Sequence, residues 1–201
     1  MHETSKSIYN KLKDSRYTTR YLKGNGIDIG AGADGLDQFY EFFPLMKTCK
    51  KWDKKNGDAQ FMESVKDDFY DFVHSAHCLE HMRDPIEALN NWIRILKPES
   101  YLICIIPDED LYEQGVFPST WNSDHKFTFT ILKKKSWSDK SISVIEMLSN
   151  TKQRIEIKKI ELLDMTYRFE LSKILKKDRL DQTGTLLGES GIEFVIKKCS
   201  Y

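Results

Sequence analysis

The segment Gly26-Ile27-Asp28-Ile29-Gly30-Ala31-Gly32 puts a carboxylate inside a short apolar strand and glycines at the turn that follows it. A glycine-rich turn between a strand and a helix lets backbone come close to a ligand, and the first N–H groups of the helix are free to donate. Gly30-x-Gly32-x-x-Gly35 also fits a dinucleotide fingerprint, with Asp53 far enough on to hold a pair of ribose hydroxyls. Taken alone, that match is unspecific. Asp28 narrows it, because an unpartnered buried carboxylate costs several kcal/mol or shifts its pKa. A ligand with an ammonium and a sulfonium would reward that charge, and a pyrophosphate would be repelled by it. Asp58, in Gly57-Asp58-Ala59, offers an acceptor for the exocyclic amine of adenine beside a donating backbone N–H. Together the two carboxylates favour S-adenosylmethionine over NAD, which stands as the alternative.

On these residues the sequence resembles the class I S-adenosylmethionine-dependent methyltransferases. The matching segments are GIDIGAG (26–32), Trp52-Asp53, GDAQ (57–60), FYDFVHSAHCLEH (69–81), DPIEALNNWIRILKP (84–98) and YLICIIPDED (101–110). LYEQG (111–115), WNSDHKFTFT (121–130), DQT (181–183) and IEFVIKK (192–198) are similar to a subfamily of short bacterial methyltransferases of mostly unassigned substrate. The resemblance implies that Gly30, Ala31 and Gly32 approach the methionine part of the cofactor. It also implies that Asp53 holds the ribose, that Asp58 and Ala59 read the adenine, and that Ser75 to His77 lie beside the sulfonium. Asp28 completes this set as the carboxylate facing the cofactor's positive charge. Two departures stand out. Only four residues separate Asp53 from Asp58, so the usual helix and third strand between them are missing or reduced, and Glu99-Ser100 replaces the usual glycine pair after Lys97-Pro98.

Methyl transfer is an in-line displacement, helped most by holding donor and acceptor ~3 Å apart and excluding water. An alcohol acceptor also benefits from a base, whereas an amine needs only to arrive unprotonated. Ligands of open α/β sheets lie beyond the carboxyl ends of the strands, which makes His74, His77, Asp108, Tyr112, Asp124 and His125 the candidates. His125 is the preferred base, with Asp124 beside it and Trp121 and Phe127 able to dry the site. A helix-capping Asp next to a surface His accounts for the same pair. His77 is the second candidate, equally readable as a loop histidine bonded to backbone.

Tyr17 and Tyr21 precede the first strand and are expected either as a lid or as plain packing. Arg16, Arg20 and Lys126 are placed to meet a phosphate, and the acidic and aromatic run through Asp108, Tyr112 and Trp121 suits a cationic or polyhydroxy acceptor. The cluster His74-x-x-His77-Cys78-x-Glu80-His81 has metal-binding residue types. Its His74 belongs to a strand and its His81 to a helix approach, so no metal site is expected.

The elements that must position these residues follow from periodicity. Strands are expected at 26–30, 46–52, 69–75 and 101–106, with helices over 36–43 and 86–96. Asp84-Pro85 caps the second helix and Lys97-Pro98 stops it. Strand–helix alternation makes this an α/β, Rossmann-like class I methyltransferase sheet, mostly parallel, with helices on both faces. A helix over 141–150 and strands at 154–163 and 192–198 are expected to close it with an antiparallel C-terminal edge.

One domain over 1–201 is expected, with 1–23 as a lid or arm and 108–130 as an acceptor-binding insertion. The 201 residues carry 31 basic and 31 acidic side chains, which removes the electrostatic case for a nucleic-acid partner. No apolar run approaches the ~20 residues of a membrane span, and four scattered cysteines suit reduced thiols in a cytoplasm. The expected activity is transfer of the S-adenosylmethionine methyl group to an amine or hydroxyl of a small polar acceptor. A phosphorylated amino alcohol or a sugar of bacterial surface glycan or capsular polysaccharide fits. A catalytically silent S-adenosylmethionine-binding subunit and an NAD-dependent oxidoreductase are the alternatives from other classes.

Overall fold

The computed structural model describes residues 2–184 and 188–200. An N-terminal helix α1 (Glu3–Lys13) and a helical turn at Tyr17–Tyr21 precede β1 (Gly24–Ile29). Then come β2 (Met46–Trp52), β3 (Tyr70–Ala76), α2 (Pro85–Arg94) and β4 (Leu96–Pro107). A short parallel pair, β5 (Thr128–Thr130) and β6 (Ser141–Ser143), leads to α3 (Val144–Ser149), β7 (Ile155–Leu163), α4 (Leu171–Ile174) and β8 (Gly191–Lys198). The six-stranded sheet has the order β2-β1-β3-β4-β8-β7, with β8 antiparallel to both β4 and β7. This is the mixed sheet with an antiparallel edge that the sequence predicts.

Side chains alternate across a strand, so each strand feeds two separate cores. Ile27, Ile29, Val73, Leu102, Cys104, Ile106, Ile192, Phe194 and Ile196 join Leu89, Trp92 and Ile93 of α2 in the larger one. The opposite face presents Phe72, Ile103 and Val195, and the N-terminal segment covers it with Ile8, Tyr17, Tyr21 and Leu22. Gly26 is required where the two segments meet closely, since a Cβ there would stand 2.1 Å from the Phe72 ring.

That second face also carries charge. Glu193 on β8 accepts from Lys11 at 2.7 Å through Oε2 and from Lys159 at 2.9 Å through Oε1, which also accepts from the Tyr17 hydroxyl. Tyr17 is therefore a core residue rather than a lid, and Tyr21 packs on Tyr101 at 4.7 Å between ring centroids. Arg20 lines a separate recess with Gly24 and Tyr101, at the end of the sheet away from the carboxyl ends of β1 and β3. Its assignment to the acceptor is corrected accordingly.

Local departures from the expected elements have visible causes. The helix after the glycine turn is a tight 3₁₀ segment, Leu36–Phe42, broken by a non-helical Phe39. α2 ends at Arg94, and β4 runs on through Pro98, where a register irregularity between Tyr70 and Phe72 absorbs the proline. Residues 141–143 pair as a strand before α3 begins, with the Ser143 side chain accepting from the Glu146 N–H. Between Asp53 and Asp58 there is only the turn Lys54–Asn56, which leaves β2 as an edge strand, as the short spacing implies. Among the described residues no helix is long and apolar enough to cross a membrane, and the four cysteines are unpaired.

Burial alone would raise the Glu193 carboxyl, but Lys11 and Lys159 outweigh it and hold the group down at about 2, from an ordinary value of 4.5. A carboxyl depressed in the folded state stabilises the fold above its unfolded pKa, and that stabilisation drains away as pH falls through the folded value. Urea unfolding from pH 6 to pH 2 is expected to show wild type losing roughly 3 kcal/mol more than Glu193→Gln, mostly below pH 4.5. Parallel curves for the two proteins would contradict this network.

Candidate functional site

At the carboxyl ends of β1, β2 and β3 lies a cleft of about 1030 Å³. Gly30 follows β1, Asp53 follows β2, and His77 and Cys78 follow β3; all four line it. Gly30 has φ +77°, and a Cβ there would stand 2.6 Å from Cys78. Only glycine fits both the left-handed backbone and the close approach. The next turn is tied to β2, with the Gly30 N–H donating to Trp52 O at 2.8 Å and the Gly32 N–H to Asp53 Oδ1 at 2.9 Å. Asp53 is thereby oriented at the mouth of the cleft. Ala31 is buried in the same turn.

The far end of the cleft is equally fixed. Asp58 accepts from the Gln60 N–H at 2.9 Å and from Arg83 at 2.6 Å, and the guanidinium holds its carboxyl below the usual range. The Ala59 carbonyl accepts from the Trp92 indole at 2.8 Å, and the Gln60 side-chain carbonyl from the Arg83 N–H at 3.0 Å. Arg83 and Gln60 escaped the sequence reading because their partners lie 23 to 25 residues away.

Two expected cofactor residues are corrected. Asp28 is not unpartnered: Nδ1 of His74 lies 2.7 Å from its Oδ1, and the Leu36 N–H donates to its Oδ2 at 2.7 Å. The buried charge is answered within the protein, which removes the reason for assigning it to a cationic ligand. Ser75 donates its hydroxyl to Ile29 O at 2.9 Å between β1 and β3, and it is fully buried in the sheet. Of the segment 75–77, His77 alone lines the cleft.

Beyond His77 the side chains form a buried polar cluster. His77 stands at φ +51°, with Nδ1 3.5 Å from Glu80 Oε1 and Nε2 3.8 Å from Glu3 Oε2 at the start of α1. α1 thus lies over the site, and its Ser5 N–H also donates to Asp34 in the glycine turn at 3.0 Å. Burial pushes the His77 imidazole well below its ordinary value and the Glu80 carboxyl well above its own. Among the described residues, neither nitrogen of His77 and neither oxygen of Glu80 has a hydrogen-bond partner. His81 follows, part-exposed at the cleft wall.

His125 is buried, not open to the cleft, and its Nδ1 sits 2.7 Å from Glu113 Oε1. Its carboxylate partner is Glu113 and not Asp124, whose exposed carboxylate lies 3.2 Å from His81 Nδ1 and 3.5 Å from Lys126. The roles given to Asp124 and His125 as a pair are corrected on that ground. Tyr112 lies beside both histidines, with ring centroids 5.7 Å from His77 and 5.0 Å from His125. No spacing in the sequence links Glu113 to His125 twelve residues on.

The remaining acceptor candidates separate. Asp108 caps the turn at Glu109–Glu113, accepting from Asp110 and Leu111 N–H groups, and burial raises its carboxyl to about 6. Trp121 donates to Tyr112 O at 2.9 Å with Arg179 over its ring. Both are scaffold for the insertion and neither lines the cleft. Lys126 does line it, beside Asp124 and the unforeseen Lys54 and Lys55.

A protein family described as a methyltransferase domain matches residues 12–154, more than two thirds of the chain. No curated protein matches the sequence. Among solved structures, a SAM-dependent methyltransferase from Archaeoglobus fulgidus superposes with TM-score 0.56 at 16% identity, covering 94% of this chain and 93% of that one. The YcgJ protein of Bacillus subtilis gives 0.54 at 14%, covering 97% and 99%. Phosphoethanolamine N-methyltransferase 2 of Haemonchus contortus, solved with S-adenosyl-L-methionine, gives 0.55 at 15%, covering 96% of this chain and 53% of that one. At these identities the likeness is one of fold.

The Asp28–His74 pair makes a direct prediction. Removing one partner of a buried pair costs about 3–5 kcal/mol, so Asp28→Ala is expected to lower unfolding free energy by that amount. In a urea double-mutant cycle with His74→Ala, the combined loss is expected to be much less than the sum of the single losses. Additive losses would show that the two side chains do not act as a unit.

Proposed function

Since the chain belongs to the class I S-adenosylmethionine-dependent methyltransferases, we propose that it transfers the cofactor's methyl group to an amine or hydroxyl of a small polar acceptor. The observation that carries this reading is the convergence of Gly30, Asp53, Asp58, Ala59 and His77 on one cleft. The bound cofactor supplies a methyl group on a positively charged sulfur, ready for in-line displacement. In this reading Asp53 accepts from ribose hydroxyls, and Asp58 with Ala59 frames the adenine. Gly30, lacking a Cβ, leaves room for the methionine part. His77 lines the cleft, and because burial keeps its imidazole neutral one ring nitrogen is left unprotonated, the state a general base requires. It replaces His125 as the favoured base, because His125 is buried off the cleft and engaged by Glu113. α1, with Glu3 against His77, excludes water from this end.

Lys54, Lys55 and Lys126 line the same cleft and favour an acceptor that carries phosphate. A phosphorylated amino alcohol or a nucleotide sugar meets that description, the latter consistent with a role in surface-glycan synthesis.

A thermal-shift comparison tests the cofactor geometry. S-adenosylhomocysteine is expected to raise the melting temperature, NAD to leave it unchanged, and Asp53→Ala to remove the shift. Labelled methyl transfer to a panel of phospho-amines and nucleotide sugars tests the acceptor class; label entering only RNA or protein would overturn it. His77→Gln is expected to lower turnover about 10²–10⁴-fold while S-adenosylhomocysteine still binds. An unchanged rate would remove His77 from the proton transfer.

A further inference from the structure

Imidazole nitrogens from three residues converge on one buried carboxylate without making a hydrogen bond to it. Glu80 Oε1 lies 3.8 Å from Nε2 of His81, 3.8 Å from Nε2 of His125 and 3.5 Å from Nδ1 of His77. Both oxygens of Glu80 and Nε2 of His125 are buried without a hydrogen-bond partner among the described residues. Such orphaned groups are rare because each forfeits its hydration. Among the described residues, Glu80, His81 and His125 hold ligand atoms that all lie within 4.8 Å of one another.

The far side of each ring provides an independent observation. Nδ1 of His125 is 2.7 Å from Glu113 Oε1, and Nδ1 of His81 is 3.2 Å from the backbone carbonyl oxygen of Asp124, with that residue's Oδ2 also at 3.2 Å. A histidine that ligates a metal through one nitrogen commonly donates the other N–H to a carboxylate or a backbone carbonyl, which fixes its tautomer and ring orientation. Here both rings have that arrangement, and each leaves Nε2 aimed at Glu80.

We propose that Glu80, His81 and His125 form a three-ligand site for a divalent first-row transition ion of the zinc type, open toward the cleft on the side of His81. Two imidazoles and a carboxylate suit such an ion, whereas magnesium and calcium take oxygen sets. Ligand atoms 2.0–2.1 Å from a tetrahedral zinc lie about 3.3–3.4 Å apart. The 3.8 Å separations therefore close by a few tenths of an ångström on binding. His81 is the one ligand of the three that lines the cleft, so the fourth position faces the acceptor's end of it. An oxygen of a hydroxyl or phosphate group is the fitting fourth ligand. That identity, unlike the ion itself, rests on the methyltransferase reading.

Metal-free full-length protein titrated with Zn²⁺ by calorimetry, and with Co²⁺ by visible absorption, tests the site. One equivalent is expected, with ligand-field bands of a low-coordinate cobalt. His81→Ala and His125→Ala are each expected to weaken binding at least ~100-fold, and Glu113→Gln about 10–100-fold. If His125→Ala fails to fold, His81→Ala, at a part-exposed position, decides the matter. Absence of binding to wild type at micromolar Zn²⁺, or equal affinity in His81→Ala, overturns the site. The S-adenosylhomocysteine melting shift is recorded on the same samples. A shift without metal binding refutes only the metal site, and metal binding without a shift refutes only the cofactor reading.

Discussion

The carboxylate of Asp28 is the point on which the site depends. It sits in the middle of β1 with one oxygen against His74 of β3 and the other on the N–H of Leu36, beyond the glycine turn. A buried charge is tolerated only when its oxygens are met by donors, so strand, neighbouring strand and returning loop are held in one geometry. The loop between Ile29 and Leu36 then has little freedom, and its shape defines the near wall of the cleft. Asp53 ties the same loop to β2 through Gly32. The cleft is thus shaped before any ligand enters it, which is the condition for positioning two reactants in line.

The same sheet face carries the Glu193 network, and together they explain the N-terminal segment. A face bearing Asp28, His74 and Glu193 cannot be covered by apolar side chains alone. Residues 3–22 supply Lys11 and Tyr17 for Glu193 and Ile8, Tyr21 and Leu22 for packing. The helix that pairs with this face reaches the cleft at its other end, where Glu3 approaches His77 and Ser5 holds Asp34. Covering the sheet and roofing the cleft are therefore one structural task.

The balanced charge of the chain conceals a strong local organisation. Histidines 77, 81 and 125 and carboxylates 80 and 113 are gathered within one cluster, buried but for His81, while Lys54, Lys55 and Lys126 line the cleft beside it. Lys133 pairs with Glu109 at 2.7 Å and Asp110 at 2.6 Å, so part of the acidic charge after β4 is balanced by a neighbouring lysine.

Periodicity and local motifs in the sequence determine the strands, the helices and the cofactor-side turn, because those depend on neighbours two to four residues apart; the parallel core and antiparallel edge follow from strand–helix alternation and the long connection before the last strand. The resemblance of 26–32 and 57–60 to a methyltransferase pattern is readable for the same reason, and so is the shortened link that makes β2 an edge. Only the tertiary structure decides which carboxylate meets which histidine. Asp28 was legible as a buried charge but not as the partner of His74, since strand pairing across 46 residues sets that contact. Asp124 is adjacent to His125 in sequence, yet the chain turns it toward His81 and brings Glu113 to His125 instead. Tyr17 and Arg20 precede the first strand as candidates for the site, but the path of the N-terminal segment sends one into the core and the other to the opposite end of the sheet. Side-chain type and spacing fix what chemistry is possible; long-range packing fixes where the electron pairs point.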